Sequence, residues 1–185
     1  MFLVHSLMKG HIHNARCAGS FLRSQCDHVD GYEAMFPRHQ PTNTLYPHYE
    51  WSMIIRDPVE RFISLWQHWL QLPQYRERIV LGPGGLVCER SIMSNWHSFV
   101  DWHRDHPTQD HGDTAWSSQG HRATARTVFF RFEDEIEACV AWMGGRVTGV
   151  AINQSISLHT GITAQERTYI QQHYGPDQAL WQSLR

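Results

Sequence analysis

The stretch Trp51-Ser-Met-Ile-Ile-Arg-Asp-Pro-Val-Glu-Arg-Phe-Ile-Ser-Leu-Trp66 decides how the chain is read. Residues 52–55 form a short apolar run containing β-branched side chains, the pattern of a central strand covered on both faces. Asp57 is placed to cap a helix that starts at once, Pro58 suits its first turn, and Glu60 completes a capping-box pattern. On that helix Val59, Phe62, Ile63, Trp66 and Leu70 fall on one face, and Glu60, Arg61, Ser64 and His68 on the other. Arg56 then stands at the C-terminal edge of the sheet, where open α/β folds bind ligands. Ser64 lies two turns along the polar face. An arginine and a serine so placed can hold one phosphate.

Toward the N-terminus, residues 2–14 are expected to hold the first strand, with Gly10-His-Ile-His-Asn14 running into the small turn Ala15-Arg-Cys-Ala-Gly-Ser20. A helix over 20–26 follows, with Phe21 and Leu22 positioned to pack on the sheet. Strand, small turn and helix make the architecture of a phosphate-binding loop, whose N–H groups face an anion. The nucleotide-kinase pattern G-x-x-x-x-G-K-[ST] is absent, so neither its lysine nor its Mg²⁺-holding hydroxyl is expected.

Toward the C-terminus the same alternation continues. Residues 29–35 read as a second short strand, 36–41 as a loop, and 42–48 as an irregular connection. Residues 72–89 hold Pro73, Pro83 and three glycines and are read as a surface loop. A helix over 94–102 sets Trp96, Phe99, Val100 and His103 on one side. Residues 104–122 are read as a mobile loop or a lid over an acceptor site. A strong strand over 126–131 leads into a helix ending near Met143 and stopped by Gly144 and Gly145. Thr163-Ala-Gln-Glu166 is a capping box opening a helix to about His173, and a turn over 174–177 precedes a short final helix. Strands alternating with helices imply an α/β fold with a mostly parallel central sheet, in one domain spanning 1–185.

Composition narrows the function. With 41% apolar and 18% charged residues the chain is globular, and a formal net charge of −2 argues against bulk binding to nucleic acid or anionic membrane. Lys9 is the only lysine, so an anion site elsewhere must use arginine, histidine or backbone N–H groups. The 14 histidines show no metal-ligand spacing, and no metal is expected. The four cysteines have no short-range pairing and are read as free thiols in a reducing, cytoplasmic setting. The apolar start, residues 1–8, is too short to span a membrane.

Two motifs stand in the order and spacing of one family. His13-Asn-Ala-Arg-Cys-Ala-Gly-Ser-Phe-Leu22 resembles the 5′-phosphosulfate loop of sulfotransferases, and Ile55-Arg-Asp-Pro-Val-Glu-Arg-Phe-Ile-Ser-Leu65 resembles their 3′-phosphate motif. The resemblance is closest to the carbohydrate sulfotransferases and their bacterial and viral relatives. It continues through Phe99-Val-Asp-Trp102, Gln119, Phe130-Arg-Phe-Glu-Asp134, Asn153-Gln-Ser155 and Tyr174-x-x-Asp177-x-x-Leu180. It implies a three-layer P-loop-type fold that binds 3′-phosphoadenosine 5′-phosphosulfate. Arg16 takes the place of the family's loop lysine, Ala15 that of a proline, and Ala18 that of a glycine. Backbone and hydroxyl contacts to the 5′-phosphosulfate would come from Cys17, Ala18, Gly19, Ser20 and Phe21. Arg56 and Ser64 would bind the 3′-phosphate.

Sulfuryl transfer resembles phosphoryl transfer in its demands: in-line attack, with charge growing on the departing bisphosphate. Arg16 and the loop N–H groups are the candidates for stabilising that charge. A hydroxyl acceptor also needs a base. His39 is the first candidate, on the segment between the motifs, followed by Glu33 and then His48. The expected activity is transfer to a hydroxyl or amine, with carbohydrate as the acceptor class and Trp96, Trp102 and Trp116 as possible stacking platforms. The alternative, motivated by Arg16 and the fewer loop glycines, is a nucleotide-binding module without catalysis.

Overall fold

A computed structural model describes residues 1–14, 16–35, 46–72, 78–81, 86–106, 116–148 and 161–184. The region expected to hold the first strand, 2–14, holds two, a hairpin of β1 (Phe2–Val4) and β2 (Lys9–Ile12). A 3-10 turn over His5–Leu7 and Met8 at φ 49° reverse the chain between them. β3 (Tyr32–Ala34) also pairs antiparallel with β1, and is shorter than the run expected over 29–35. β4 (Glu50–Ile55) lies parallel to β2 on one side and to β7 (Thr127–Arg131) on the other. The five-stranded sheet has the order β3-β1-β2-β4-β7, with β1 alone running against the others. The α/β class and the mostly parallel sheet are as the alternation implied.

Side-chain alternation along β4 explains how the sheet is covered. Trp51, Met53 and Ile55 face one way and pack with Leu3, Ile12 and Trp181 of α7 (Gly175–Ser183). Ile54 faces the other way, with Leu22 and Cys26 of α1 (Gly19–Cys26) and Cys139 and Val140 of α5 (Ile136–Trp142). Helices thus lie on both faces of the sheet. Gly10 is required where β2 passes β4, because a Cβ there would stand 2.3 Å from the Trp51 ring. All four cysteines are free and buried.

A third apolar cluster forms beside the sheet from α2 (Pro58–Gln71), α4 (Trp96–Asp105) and α6 (Ala164–His173). Phe62 and Trp66 meet Trp96, Phe99, Trp116 and Ile170 there. Trp96 and Trp116 are therefore core side chains and not sugar platforms. Trp102 is half-buried and stacks on His106. The expected helix over 94–102 is α4, shifted by its cap: Asn95 accepts from the Ser98 N–H. Thr163 and Glu166 form the capping box that opens α6, as their spacing implied.

The loop expected over 72–89 is corrected. β5 (Arg78–Leu81) and β6 (Leu86–Glu89) form an antiparallel ladder, followed by α3 (Arg90–Met93). Apolar β-branched runs flanking a glycine- and proline-rich centre are a hairpin pattern, which those breakers had masked. The loop expected over 104–122 is ordered at both ends, with Trp116 and Gln119 buried, while 107–115 lie outside the described residues. Among the described residues no helix is long and apolar enough to cross a membrane.

Candidate functional site

The site is built at the C-terminal end of β4. The strand stops at Ile55, and Asp57 caps α2 by accepting from the N–H groups of Val59 (2.8 Å) and Glu60 (3.2 Å). The expected reciprocal bond from Glu60 is replaced: the Asp57 N–H donates to Glu133 Oε1 at 2.9 Å. The other oxygen of Glu133 accepts from Trp181 Nε1 at 2.9 Å, so the helix start is tied to the segment after β7 and to α7. Of the four residues read as the polar face of α2, Glu60 is exposed and His68 half-buried, but Arg61 and Ser64 are buried. Arg61 donates to the Ser117 carbonyl at 3.1 Å.

Two arginines meet over this corner. Arg16 donates from Nε to Ser64 Oγ at 3.0 Å, and Arg56 donates from Nη1 to the Arg16 carbonyl at 3.3 Å. The Arg56 guanidinium lies 4.4 Å over the Phe132 ring. Burial and then the neighbouring Arg56 charge hold the Arg16 guanidinium below the ordinary arginine range. His68, one turn beyond Ser64 on α2, is lowered by burial and then by the Arg16 charge. No carboxylate forms an ion pair with Arg56 among the described residues, and its Nε is buried without a hydrogen-bond partner. Like charges held together in half-buried surroundings are stabilised by an anion between them.

The loop that carries Arg16 is conformationally unusual. Among the described residues the non-glycine positions at positive φ are Met8, Arg16 (63°) and Ala18 (56°), so two of the three lie in this turn. Such conformations cost free energy and concentrate at functional sites. Asn14 holds the loop's entry by donating to the Ile54 carbonyl at 3.0 Å. Ala18 is the N-cap of α1 and makes no side-chain capping bond. Gly19 passes directly under His13, whose ring would clash with any Cβ there. Ser20 is exposed and Phe21 half-buried. Cys17 points inward: its thiol is fully buried, donates to Gln119 Oε1 at 3.2 Å, and is pushed up to about 11 by burial. Its side chain is a structural tie, and its backbone N–H donates to the Asn14 carbonyl at 3.3 Å, closing the turn.

Gln119 joins the loop to the corner. Its Oε1 accepts from the Arg56 N–H (2.9 Å) and its Nε2 donates to the Arg56 carbonyl (2.8 Å). Gln119 opens a 3-10 turn (Gln119–Arg122) whose start is held by Asp177 of α7. Asp177 is buried and accepts from the Ser118 hydroxyl (2.5 Å), the Gln119 N–H (2.8 Å) and the Gly120 N–H (3.3 Å). In the sequence these two residues stand out only through the family resemblance, because nothing local links a glutamine to an aspartate 58 positions away.

The structure therefore brings Arg16, Cys17, Arg56 and Ser64 together. The base candidates are placed differently. Glu33 bonds His5 Nε2 at 2.6 Å, and His5 Nδ1 meets the Tyr49 hydroxyl at 2.7 Å. Tyr49 immediately precedes β4, so the Glu33 carboxylate is directed to the edge of the sheet opposite Arg56. The His48 carbonyl accepts from Arg126 at 3.0 Å, at that same opposite edge. His39, Ala15 and Asn153-Gln-Ser155 lie outside the described residues.

Comparison with curated proteins and with solved structures found no match. A family model described as "Sulfotransferase family" matches residues 13–137, which run from the start of the Arg16 loop through β7 and into α5. That span covers more than half of the chain and contains Arg16, Arg56, Ser64 and Gln119 in their observed arrangement, and the chain belongs to the sulfotransferase family.

Proposed function

We propose that this chain transfers a sulfuryl group from 3′-phosphoadenosine 5′-phosphosulfate to a hydroxyl or amine of a carbohydrate acceptor, on a three-layer P-loop-type fold. The observation that supports it most is the pairing of Arg16 and Arg56 over Ser64, with Arg56 lacking a carboxylate partner among the described residues. This donor set fits a nucleotide carrying two separate anionic groups: guanidiniums and a hydroxyl match phosphate oxygens, and no metal ligand is needed. Arg56 and Ser64 take the 3′-phosphate, the group that separates this donor from ATP.

The donor supplies the activated sulfuryl group. Arg16 and the backbone of residues 17–21 hold the 5′ end, and the Arg16 guanidinium stabilises negative charge on the departing bisphosphate. To reach it, Arg16 must exchange its bond with Ser64 Oγ for one to the ligand, which also frees that hydroxyl for the 3′-phosphate. The acceptor's proton goes to His39, the remaining candidate on the segment between the motifs, since Glu33 is engaged with His5 and His48 stands at the far edge. Carbohydrate as the acceptor class rests on the family resemblance alone, because Trp96 and Trp116 are core side chains.

The test is transfer of radiolabelled sulfate from the donor to a panel of mono- and oligosaccharides, with release to water measured in parallel. Label on a saccharide is expected. Tight binding of the 3′,5′-bisphosphate with no transfer and no release would support the non-catalytic alternative, in which Arg16 serves binding only.

A further inference from the structure

We infer that Gln119 is the positioning residue that locks the two phosphate motifs to each other, and that Asp177 holds it in place. The inference rests on the reading of the Arg16–Arg56 corner as a bisphosphate site and extends it to residues outside both motifs. At Arg56 the β4 ladder has ended: the last bond to the neighbouring strand side is Phe132 N–H to the Ile55 carbonyl, at 2.8 Å. The Arg56 peptide groups are taken over by the Gln119 side chain, which presents an acceptor and a donor as the next residue of a paired strand would. The same Oε1 accepts the Cys17 thiol, so one amide fixes the residue after Arg16 and the backbone of Arg56 together. Its orientation is unique. The oxygen faces two donors and the nitrogen faces a carbonyl, and a flipped amide would set N–H against N–H and oxygen against oxygen at both Arg56 peptide groups. Gln119 is fully buried, and its own backbone is anchored by the Asp177 carboxylate, so the amide is not free to follow a moving loop.

Gln119 touches neither guanidinium in these contacts. It acts through the backbone that carries them, setting the separation of Arg16 and Arg56 and hence the spacing of phosphates the site accepts. A glutamine that merely supported the fold would lower stability without any link to Arg56.

A double-mutant cycle on affinity for adenosine 3′,5′-bisphosphate, measured by calorimetry, separates these roles. Gln119→Leu is expected to weaken binding about tenfold or more. Added to Arg56→Ala, it should cost less than about a further threefold, because its effect runs through Arg56. Gln119→Met keeps the size and adds no charge but loses both bonds to the Arg56 peptide groups, so it provides the same cycle if the leucine variant does not fold. Losses that multiply in full, or a variant that is less stable to urea yet binds the bisphosphate as the wild type does, would overturn the positioning role and leave the site reading intact. A wild-type protein that does not bind the bisphosphate would sink both.

Discussion

Replacing Asp177 by alanine should be among the most damaging single changes outside the two motifs. The carboxylate is 1% exposed and accepts three bonds, from the Ser118 hydroxyl at 2.5 Å and the N–H groups of Gln119 at 2.8 Å and Gly120 at 3.3 Å. Hydrogen bonds to a charged group contribute about 1.5–3 kcal/mol each, and a buried donor left without a partner costs about 1–3 kcal/mol. The Ser118 hydroxyl can rotate to another acceptor, and Gly120 is only half-buried, so the full penalty falls mainly on the Gln119 N–H. The sum is about 3–5 kcal/mol, a large part of the 5–15 kcal/mol by which ordinary domains are stable. For a chain of 185 residues this lowers Tm by roughly 6–20 °C. Asp177→Asn keeps one acceptor oxygen but turns an amide N–H toward other donors, so its cost should fall between alanine and wild type. The assay is urea denaturation of both variants, followed by bisphosphate titration at a temperature where both remain folded. A loss below about 1 kcal/mol for Asp177→Ala would refute the reasoning, because it would mean the three donors find other partners at no cost.

Other expectations follow from single contacts. Arg16→Ala should lower kcat for sulfate transfer by about 10²–10³-fold, as removal of a charge-stabilising donor does, with a smaller effect on bisphosphate affinity; steady-state rates set against calorimetric Kd values check this. Gly10→Ala should destabilise the fold by about 1–3 kcal/mol in urea titration, since the new Cβ would stand 2.3 Å from the Trp51 ring at the centre of the sheet. His103 is fully buried against Phe62 and Trp116, bonded to the Tyr169 hydroxyl and beside His173. Burial, and then His173, pushes it down to about 3. The unfolded chain takes up that proton near pH 6.5 and the folded chain does not. This contribution is therefore complete above pH 6.5 and is lost as pH falls toward 3. Urea midpoints between pH 7 and pH 5 should drop less in His103→Gln than in the wild type, after allowing for the variant's lower starting stability.

The central corner was legible because its signals are local. A β-branched run followed by Arg-Asp-Pro places a strand end, an edge arginine and a helix cap within a few residues, and all three stand where that spacing implied. The role of Glu60 was not legible, because the competitor for the Asp57 N–H is Glu133, 76 positions away. Periodicity separated the apolar and polar faces of α2 but could not tell that Arg61 and Ser64 are buried. A buried polar face and a solvated one have the same pattern. The β5–β6 ladder was hidden by the glycines and prolines around it, and the β1–β2 hairpin by a reversal through Met8, a residue with no turn preference. Gln119 and Asp177 are the clearest case. Their function is a set of tertiary bonds between a 3-10 turn, a loop thiol and a C-terminal helix, and no residue spacing encodes that.

The central claim, that Arg16, Arg56 and Ser64 form a site for a nucleotide bearing a 3′-phosphate, is tested most directly by calorimetric titration of the wild-type protein with two ligands. Adenosine 3′,5′-bisphosphate and adenosine 5′-diphosphate carry the same base and differ in where the second phosphate sits. An arginine and a buried hydroxyl engaged by the 3′-phosphate predict tighter binding of the bisphosphate by about a hundredfold. Equal affinities, or a preference for the diphosphate, would contradict the account.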